Sequence, residues 1–236
     1  MLYRLPQKLA AEFIGTFAVV FIASGAICTD QYLRAATQPG VGPLGCALAY
    51  GLAVGAMVSA LAHISGAHLN PAVTIGYWVT RRMGALESIG YGVAQLLGAA
   101  AGAYVLSLIL PESIWRPASL GAPDLSSDFT RLHGMALEAV LTFIVVLVQF
   151  ATVVDTKGAF RHVAGLAVGA AVTIGYLVGA PFTGAAMNPA RAFGPDLALL
   201  PHHWQNHGVY WVGPLFGGVL AAVIYDRVFL RNQPVS

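Results

Sequence analysis

Long apolar stretches separated by short polar segments run through the whole chain. A helix needs about 20 apolar residues to cross a hydrocarbon core of about 30 Å, and six stretches come near that length. We place them roughly at 8–28, 44–64, 88–110, 132–154, 160–180 and 208–230. The pattern predicts an all-α membrane protein with six transmembrane helices in a single domain over residues 1–236.

Two more apolar segments are too short to cross a membrane, and each begins with an Asn-Pro-Ala triplet. The triplets are Asn70-Pro71-Ala72 and Asn188-Pro189-Ala190, and the apolar runs behind them end near Trp78 and Ala198. Because Asn is a strong helix N-cap and Pro favours the first helical position, each triplet predicts a helix start. At 1.5 Å per residue such helices are about 15 Å long, so we expect two re-entrant half-helices.

The two triplets belong to an internal repeat. Residues 65–72 align with residues 183–190 at an offset of 118, and earlier landmarks recur in the same order. These landmarks are 51–55 with 165–169, and Glu12, Thr16 and Phe17 with Glu138, Thr142 and Phe143. Each copy holds an odd number of spans, so the second copy enters the membrane from the opposite face. We expect an inverted internal repeat, with repeat one at about 1–110, a linker at about 111–131 and repeat two at about 132–236.

Composition and charge agree with a membrane protein. Hydrophobic residues make up 57% of the chain and charged residues 9%, whereas soluble domains average about 25% charged residues. A net charge of +2 without a basic run gives no reason to expect a nucleic-acid partner. Basic residues concentrate on one side of the spans, so both termini are expected in the cytoplasm, in a plasma or bacterial inner membrane. This side carries Arg4, Lys8, Arg81, Arg82, Lys157, Arg161, Arg227 and Arg231, and the other side carries Arg34, Arg116 and Arg131.

The junction of the two half-helices is the candidate functional site. Their starts would meet near the midplane, behind non-helical backbone at 63–69 and 181–187 that packs in protein or lines a wet cavity. Each N-cap oxygen satisfies backbone N–H groups, which leaves the amide NH2 of Asn70 and Asn188 free to donate elsewhere. Each helix start also carries about half a positive charge, so the junction repels cations and donates hydrogen bonds to neutral solutes. One triplet would indicate only a capped helix start, but two matched copies favour a pore.

Three charged residues fall within the predicted membrane interior. Arg191 follows the second triplet and is expected to line the pore; in the alternative, structural role it would need Asp196 as its partner. Glu12 and Glu138 occupy matching places in the two repeats. A proton relay is one interpretation of these carboxylates. Their symmetry favours the other, in which each accepts hydrogen bonds from the irregular backbone beside a half-helix.

Cysteines and histidines suggest no catalytic chemistry. Cys28 and Cys46 would lie near the outer ends of the first two spans, where a disulfide is conceivable, although two buried free thiols are favoured. Five histidines either flank the first irregular segment or cluster in the last outer loop, namely His63, His68, His202, His203 and His207. A metal site is possible there, but solvated or hydrogen-bonded histidines are favoured. We therefore predict neither a metal nor a cofactor, and no enzyme.

Essentially the whole chain resembles the aquaporin family, also called the major intrinsic proteins. The motifs that carry the resemblance are Ala11-Glu12-Phe13 with Gly15-Thr16-Phe17, HISGAHLNPAVT from His63 to Thr74, and MNPARAFGP from Met187 to Pro195. The resemblance implies six tilted helices, two half-helices, and a homotetramer in the lipid bilayer whose subunits each have a pore. It also implies a selectivity filter. Matching the motifs assigns this filter to Tyr50, Tyr176, Ala185 and Arg191.

The filter departs from the family's usual patterns. Water-selective members usually carry Phe, His and a small polar residue before the Arg, whereas glycerol facilitators usually carry Trp, Gly and Phe. Here Tyr176 stands where His is expected, while Ala192 and the pair Tyr210-Trp211 resemble water channels. We predict passive conduction of water, with ammonia and hydrogen peroxide as further small neutral solutes. The alternatives are a glycerol or small-polyol facilitator, a proton-coupled transporter using Glu12 or Glu138, and a structural junction protein.

Overall fold

A computed structural model describes residues 3–158, 161–199 and 204–230, and every regular element in these ranges is helical. The helices in chain order are α1 (Leu5–Ala35), α2 (Gly42–Ser65), α3 (Pro71–Val79), α4 (Ala85–Ile109), α5 (Glu112–Trp115), α6 (Arg131–Gln149), α7 (Ala164–Thr183), α8 (Pro189–Ala198) and α9 (Val209–Ile224). Wider π-helical turns extend α6 over Phe150–Val154 and α9 over Tyr225–Leu230. In the described ranges, six helices are long and apolar enough to cross a membrane. The six spans and the two half-helices, α3 and α8, are thus confirmed.

The first helix is longer than hydropathy indicated. It continues to Ala35, past the predicted end near residue 28, because its polar last turns are stabilised locally. Arg34 donates to Asp30 at 2.8 Å, an i,i+4 pair that supports helix without apolar burial.

The non-helical segments before the half-helices are shorter than the predicted 63–69 and 181–187. Helix α2 continues to Ser65 and α7 to Thr183, and each ends at a glycine in the left-handed conformation. Gly66 has φ 86° and Gly184 has φ 72°, values at which a side chain would be strained. We call residues 66–69 the inner loop and residues 184–187 the outer loop, the inner face being the one where α1 begins.

Glycines four residues apart allow the long helices to pack backbone to backbone. Helices α2 and α7 cross where Gly51 and Gly55 meet Gly169 and Gly165, and an added Cβ would contact the opposing carbonyl oxygens. The same kind of contact recurs in both repeats. In the first, Gly98 and Gly102 of α4 lie against Phe13 O and Phe17 O of α1. In the second, Gly213 and Gly217 of α9 lie against Met135 O and Ala139 O of α6. Such small-residue pairs are typical of membrane helix contacts.

Each half-helix packs against the last helix of the other repeat. Helix α3 contacts α9, and α8 contacts α4, so the two copies are interlocked. The linker at about 111–131 is partly buried. Leu120 is inaccessible, and an added Cβ on Gly121 would lie 2.7 Å from Ser24 Cα of α1.

Two ion pairs join elements at the inner face. Lys8 pairs with Glu87 at 2.8 Å, and Arg82 pairs with Asp226 at 2.7 Å. They join the start of α1 to the start of α4, and the segment between α3 and α4 to the end of α9. The first and last helices therefore have their terminal ends on the same face.

Candidate functional site

The two asparagines cap the half-helices in the same way. Asn70 is extended, with φ −156°, and its Oδ1 accepts from Ala72 N at 2.9 Å. Asn188 has φ −158°, and its Oδ1 accepts from Ala190 N at 2.9 Å and from Arg191 N at 3.3 Å. Side-chain capping satisfies backbone donors that have no partner within the helix, as the N-cap pattern predicted.

Each asparagine also reaches across to the loop of the other repeat. Asn70 Nδ2 donates to Met187 O at 2.8 Å, and Asn188 Nδ2 donates to Leu69 O, also at 2.8 Å. The sequence predicted that each amide NH2 would be free to donate elsewhere. In the structure, each already donates one hydrogen bond to the opposite loop. Because an NH2 group has two protons, one proton of each amide remains for a solute. The exchange also fixes the two half-helix starts face to face.

Two buried carboxylates satisfy the backbone of the loops. Glu12 accepts from Ser65 Oγ at 2.7 Å, His68 N at 2.9 Å and Leu69 N at 2.7 Å. Its side chain is inaccessible to solvent. Buried N–H groups outside regular structure need such partners, since leaving them unpaired within a membrane is costly.

Glu138 makes the matching bonds in the second repeat. It accepts from Thr183 Oγ1 at 2.8 Å, Ala186 N at 2.9 Å and Met187 N at 2.7 Å. The loops also share an uncommon backbone. Two non-glycine residues in each have left-handed φ, namely Ala67 at 44°, Leu69 at 52°, Ala185 at 44° and Met187 at 52°. The carboxylates hold this conformation in both copies.

Three further residues bond the loop starts or Glu12: the sequence analysis missed Gln95 and Tyr91, and it named Tyr210 without this role. Gln95 donates from Nε2 to Glu12 Oε2 at 2.8 Å and to Thr74 Oγ1 at 2.9 Å. Tyr91 donates to Ser65 O, and Tyr210 donates to Thr183 O, each at 2.8 Å. The two tyrosines are 119 residues apart, so the repeat alignment pairs them only after a one-residue shift from its offset of 118. Gln95 aligns with Pro214 after the same shift and has no polar counterpart.

The four residues assigned to the filter lie together on the outer side of the junction. The rings of Tyr50 and Tyr176 are 6.1 Å apart and edge to face, and both pack in one apolar cluster with Ala185. Arg191 stands over the Tyr50 ring at 5.9 Å. The Tyr50 hydroxyl donates to Ala186 O at 2.7 Å, so this ring is fixed in place by the outer loop.

Arg191 is fully buried, yet its guanidinium has no acceptor among the residues that the structure describes. None of its three side-chain nitrogens has a hydrogen-bond partner within the described part of the chain. Asp196, the carboxylate considered for it, instead lies 2.6 Å from His207 Nδ1. His207 Nε2 accepts from Trp211 Nε1 at 2.8 Å. Because unpaired buried charges are costly, the geometry fits donors that face a solute path.

The two cysteines and the histidines form no metal cluster in the ranges described. Cys28 and Cys46 are buried free thiols, as favoured. His68 Nδ1 lies 3.1 Å from Thr74 Oγ1, and the His63 ring contacts the Tyr3 ring at 5.9 Å. No group of three potential ligands occurs among the residues with described positions, and His202 and His203 lie outside them.

A narrow cavity runs from Tyr50 past both asparagines to Val58 and Gln149. Its volume of about 20 Å³ is close to the space that one water molecule needs. The apolar side chains of its wall are Leu69, Met187 and seven valines, namely Val19, Val54, Val58, Val73, Val145, Val168 and Val172. Beyond Val58 a wider cavity of about 330 Å³ includes Ser59, His63, Thr152 and His162 in its lining.

Comparison with known proteins gives the same assignment over almost the full length. The family model for major intrinsic protein matches residues 3–225. Probable aquaporin TIP3-2 of Arabidopsis thaliana is 41% identical, covering 95% of this chain and 85% of that protein. Aquaporin-4 of Mus musculus is 38% identical, with coverage of 94% and 67%.

A third relative and a solved structure extend the comparison. The lens fiber major intrinsic protein of Oryctolagus cuniculus is 43% identical, covering 98% of this chain and 84% of that protein. The X-ray structure of the aquaglyceroporin from Plasmodium falciparum superposes with a TM-score of 0.82 at 26% identity, over 96% of this chain and 98% of that one. The chain therefore belongs to the major intrinsic protein family, which includes the aquaporins.

Proposed function

We propose that this protein is a passive membrane channel for water and other small neutral solutes. The observation that carries the proposal is the reciprocal pair of bonds from Asn70 and Asn188, which joins two helix starts inside the bundle. A solute at this junction meets one remaining amide proton from each asparagine. Half of the residues that line the cavity are valines, so a neutral molecule passes with few sites that hold it back.

Exclusion of cations, including protons, follows from the charges around the path. Two helix starts direct their positive ends to the junction, and Arg191 adds a full charge on the outer side. The nitrogens of Arg191 are unpaired by protein in the described ranges, which leaves them to bind solute. We assign Tyr50, Tyr176, Ala185 and Arg191 to the selectivity filter.

Water is the first solute we propose, with ammonia and hydrogen peroxide next. The tyrosine pair narrows the filter, while the small Ala185 side chain leaves space on the opposite side. The main alternative, a glycerol or small-polyol facilitator, agrees with the solved aquaglyceroporin whose fold this chain shares. Relative fluxes of water and glycerol distinguish the two.

Glu12 and Glu138 serve the structure of the pore. Each accepts two backbone N–H groups and a hydroxyl through hydrogen bonds that would weaken if the carboxylate took up a proton. A relay would require that protonation in every cycle. A proton-coupled transporter is therefore the less favoured interpretation.

Assembly and orientation are part of the proposal. Large apolar side chains on the outside of the bundle, such as Leu52, Leu97 and Phe216, suit contact with lipid or with further subunits. We propose a homotetramer with one pore per subunit, as in the family. The inner face, where the basic residues concentrate, is assigned to the cytoplasm of a plasma or bacterial inner membrane.

Water flux in reconstituted vesicles tests the central claim. Proteoliposomes under an osmotic step are expected to shrink faster than empty vesicles, and an imposed pH gradient is expected to leave the flux unchanged. Shrinkage no faster than that of empty vesicles, with folded protein present, would contradict a water channel. Solute flux that follows the pH gradient would instead support a coupled transporter.

The filter assignment has its own test. Ala185→Cys places a thiol beside Tyr50 and Tyr176, so mercurial reagents are expected to block this variant through the new thiol. The measurement is osmotic water flux before and after the reagent, with the unsubstituted protein as control. A conducting variant with no added sensitivity would argue against this placement of the filter.

A further inference from the structure

We propose that Gln149 is a second solute-contacting position, in the inner half of the pore. It would favour neutral solutes with several hydrogen-bonding atoms, such as hydrogen peroxide, relative to water. The inference rests on the channel function proposed above and deepens it. The family resemblance did not single out this residue.

Gln149 lies at the pore wall. It is the last residue of α6, one turn beyond Val145, and only 1% of its surface is exposed. Both residues line the same narrow cavity as Asn70 and Asn188. A buried carboxamide needs hydrogen-bond partners, and here a cavity of molecular size lies against it.

One end of the carboxamide is held by the inner loop. Gln149 Nε2 donates to Gly66 O at 3.2 Å, and the Tyr77 side chain also interacts with the amide. Since a carbonyl can only accept, the nitrogen must face Gly66. The carbonyl oxygen of Gln149 is therefore the end that can accept a hydrogen bond from a solute.

The position parallels that of Tyr50 on the other side of the junction. Tyr50 donates to Ala186 O of the outer loop, as Gln149 donates to Gly66 O of the inner loop. Besides the carbonyl that binds the opposite asparagine, each loop thus has one bonded to a side chain from a long helix. Gln149 therefore occupies a place on the inner side that corresponds to Tyr50 on the outer side.

Helix irregularity occurs at the same place. The π-helical turn Phe150–Val154 begins directly after Gln149, and Asp155 N closes it by donating to Phe150 O at 2.9 Å. Phe150 is inaccessible and packs on Tyr77, with ring centroids 5.1 Å apart. Such turns occur frequently at functional sites, and this one sets the direction of α6 where Gln149 meets the pore.

Few polar side chains line this half of the cavity. Val58, Val145 and Val168 offer no hydrogen bond, whereas Gln149 and His68 carry polar groups. His68 Nδ1 already lies 3.1 Å from Thr74 Oγ1. A solute in single file loses its lateral water there, and the loss is greater for peroxide, which has more hydrogen-bonding atoms than water. A hydrogen bond to the Gln149 carbonyl compensates for part of that loss, so it lowers the permeation barrier more for peroxide than for water.

The test compares peroxide and water flux in the same proteoliposomes. Gln149→Met keeps an unbranched side chain of similar length but removes the carboxamide. The ratio of peroxide to water permeability is expected to fall about two- to tenfold, the range that one net hydrogen bond represents. Gln38→Met, in an exposed loop, is the matched control and is expected to keep the ratio.

A purely structural role would give a different result. If Gln149 only held the inner loop, both fluxes would fall together and the ratio would stay constant, which would overturn the proposal.

A second variant, Val145→Gln, adds a carboxamide one turn away and is expected to raise the ratio of peroxide to water permeability. An unchanged or lower ratio in this variant would also count against the proposal. If the unsubstituted protein conducted no water, the channel function itself would fail instead.

Discussion

At the scale of single residues, the site depends on side chains that each serve several backbone groups. Glu12 and Glu138 each accept three hydrogen bonds from the ends of the long helices and the loops that follow. Asn70 and Asn188 each cap one helix and bind the opposite loop. Backbone that is neither helix nor sheet persists at this depth because these few acceptors and donors satisfy it.

Replacing Glu138 tests this dependence. In Glu138→Leu, the N–H groups of Ala186 and Met187 lose their acceptor, at about 1–3 kcal/mol for each unsatisfied group. Glu138→Gln keeps one acceptor oxygen and is expected to lose less stability. The measurement is thermal unfolding in detergent, with Glu112→Leu at an exposed position as control. Equal unfolding temperatures for Glu138→Leu and the control would contradict the role.

Replacing Arg191 tests the filter. Arg191→Val removes a buried charge and shortens the side chain, so we expect glycerol flux relative to water to rise severalfold and cation exclusion to weaken. Vesicle re-swelling in glycerol and dye-reported proton leak measure the two effects. Arg116→Val, at an exposed position directly after α5, is the control. Unchanged selectivity in the Arg191 variant would show that the charge does not act on the pore.

Some of these residues could be predicted and others could not. The asparagines, the glutamates and Arg191 stand in motifs that occur twice or follow a repeated triplet, so their placement has a local signal. Gln95 and Gln149 are single polar residues within apolar runs. Periodicity does not show whether such a residue faces lipid, another helix or the pore, because that depends on which helices are its neighbours.

At the scale of elements, glycines decide how closely the helices approach. Three helix pairs pack through glycines spaced by four residues: α2 with α7, α1 with α4, and α6 with α9. The apolar surfaces of these helices would fit lipid equally well, so close backbone contact is what favours helix against helix. The glycines at 51, 55, 165 and 169 were recognised only as a repeat landmark, and their contact with one another became clear in three dimensions.

A pair of alanine substitutions tests the glycine contacts. In Gly169→Ala, the new Cβ would clash with Gly51 O, which is backbone and cannot move alone, so we expect a loss of about 1–3 kcal/mol. In Gly92→Ala, nothing lies within 4 Å, and helix propensity favours alanine by up to about 1 kcal/mol. Thermal unfolding should therefore separate the two variants. Equal stability would mean that the crossing tolerates a larger separation.

At the scale of the whole molecule, the inverted repeat places both half-helix starts at one point. Helices α3 and α8 each pack on the other repeat's last helix, so each half of the site is completed by contacts from the other copy. The linker also packs inward, through Leu120. The site thus joins both halves of the bundle.

Orientation in the membrane is the prediction at this scale. The inner face carries Lys8 and Arg82, and the start of α1 and the end of α9 both lie there. Because basic residues mark the cytoplasmic side, a C-terminal fluorescent-protein fusion is expected to fluoresce in the bacterial cytoplasm. A C-terminal alkaline phosphatase fusion is expected to remain inactive there. Active phosphatase with a dark fluorescent fusion would reverse the assignment.

Hydropathy and the paired triplets by themselves determined the spans, the half-helices and the inverted repeat, while the family was inferred from the resemblance of longer motifs. These properties follow from local physics, since spanning length, helix capping and repeated motifs are each contained within a few consecutive residues. Only the tertiary structure decided that the asparagine amides bind opposite loops, that glycines carry the helix crossings, and that Gln149 lines the same narrow cavity as the asparagines. Those features join residues far apart in the chain, and side-chain direction depends on how the two repeats interlock.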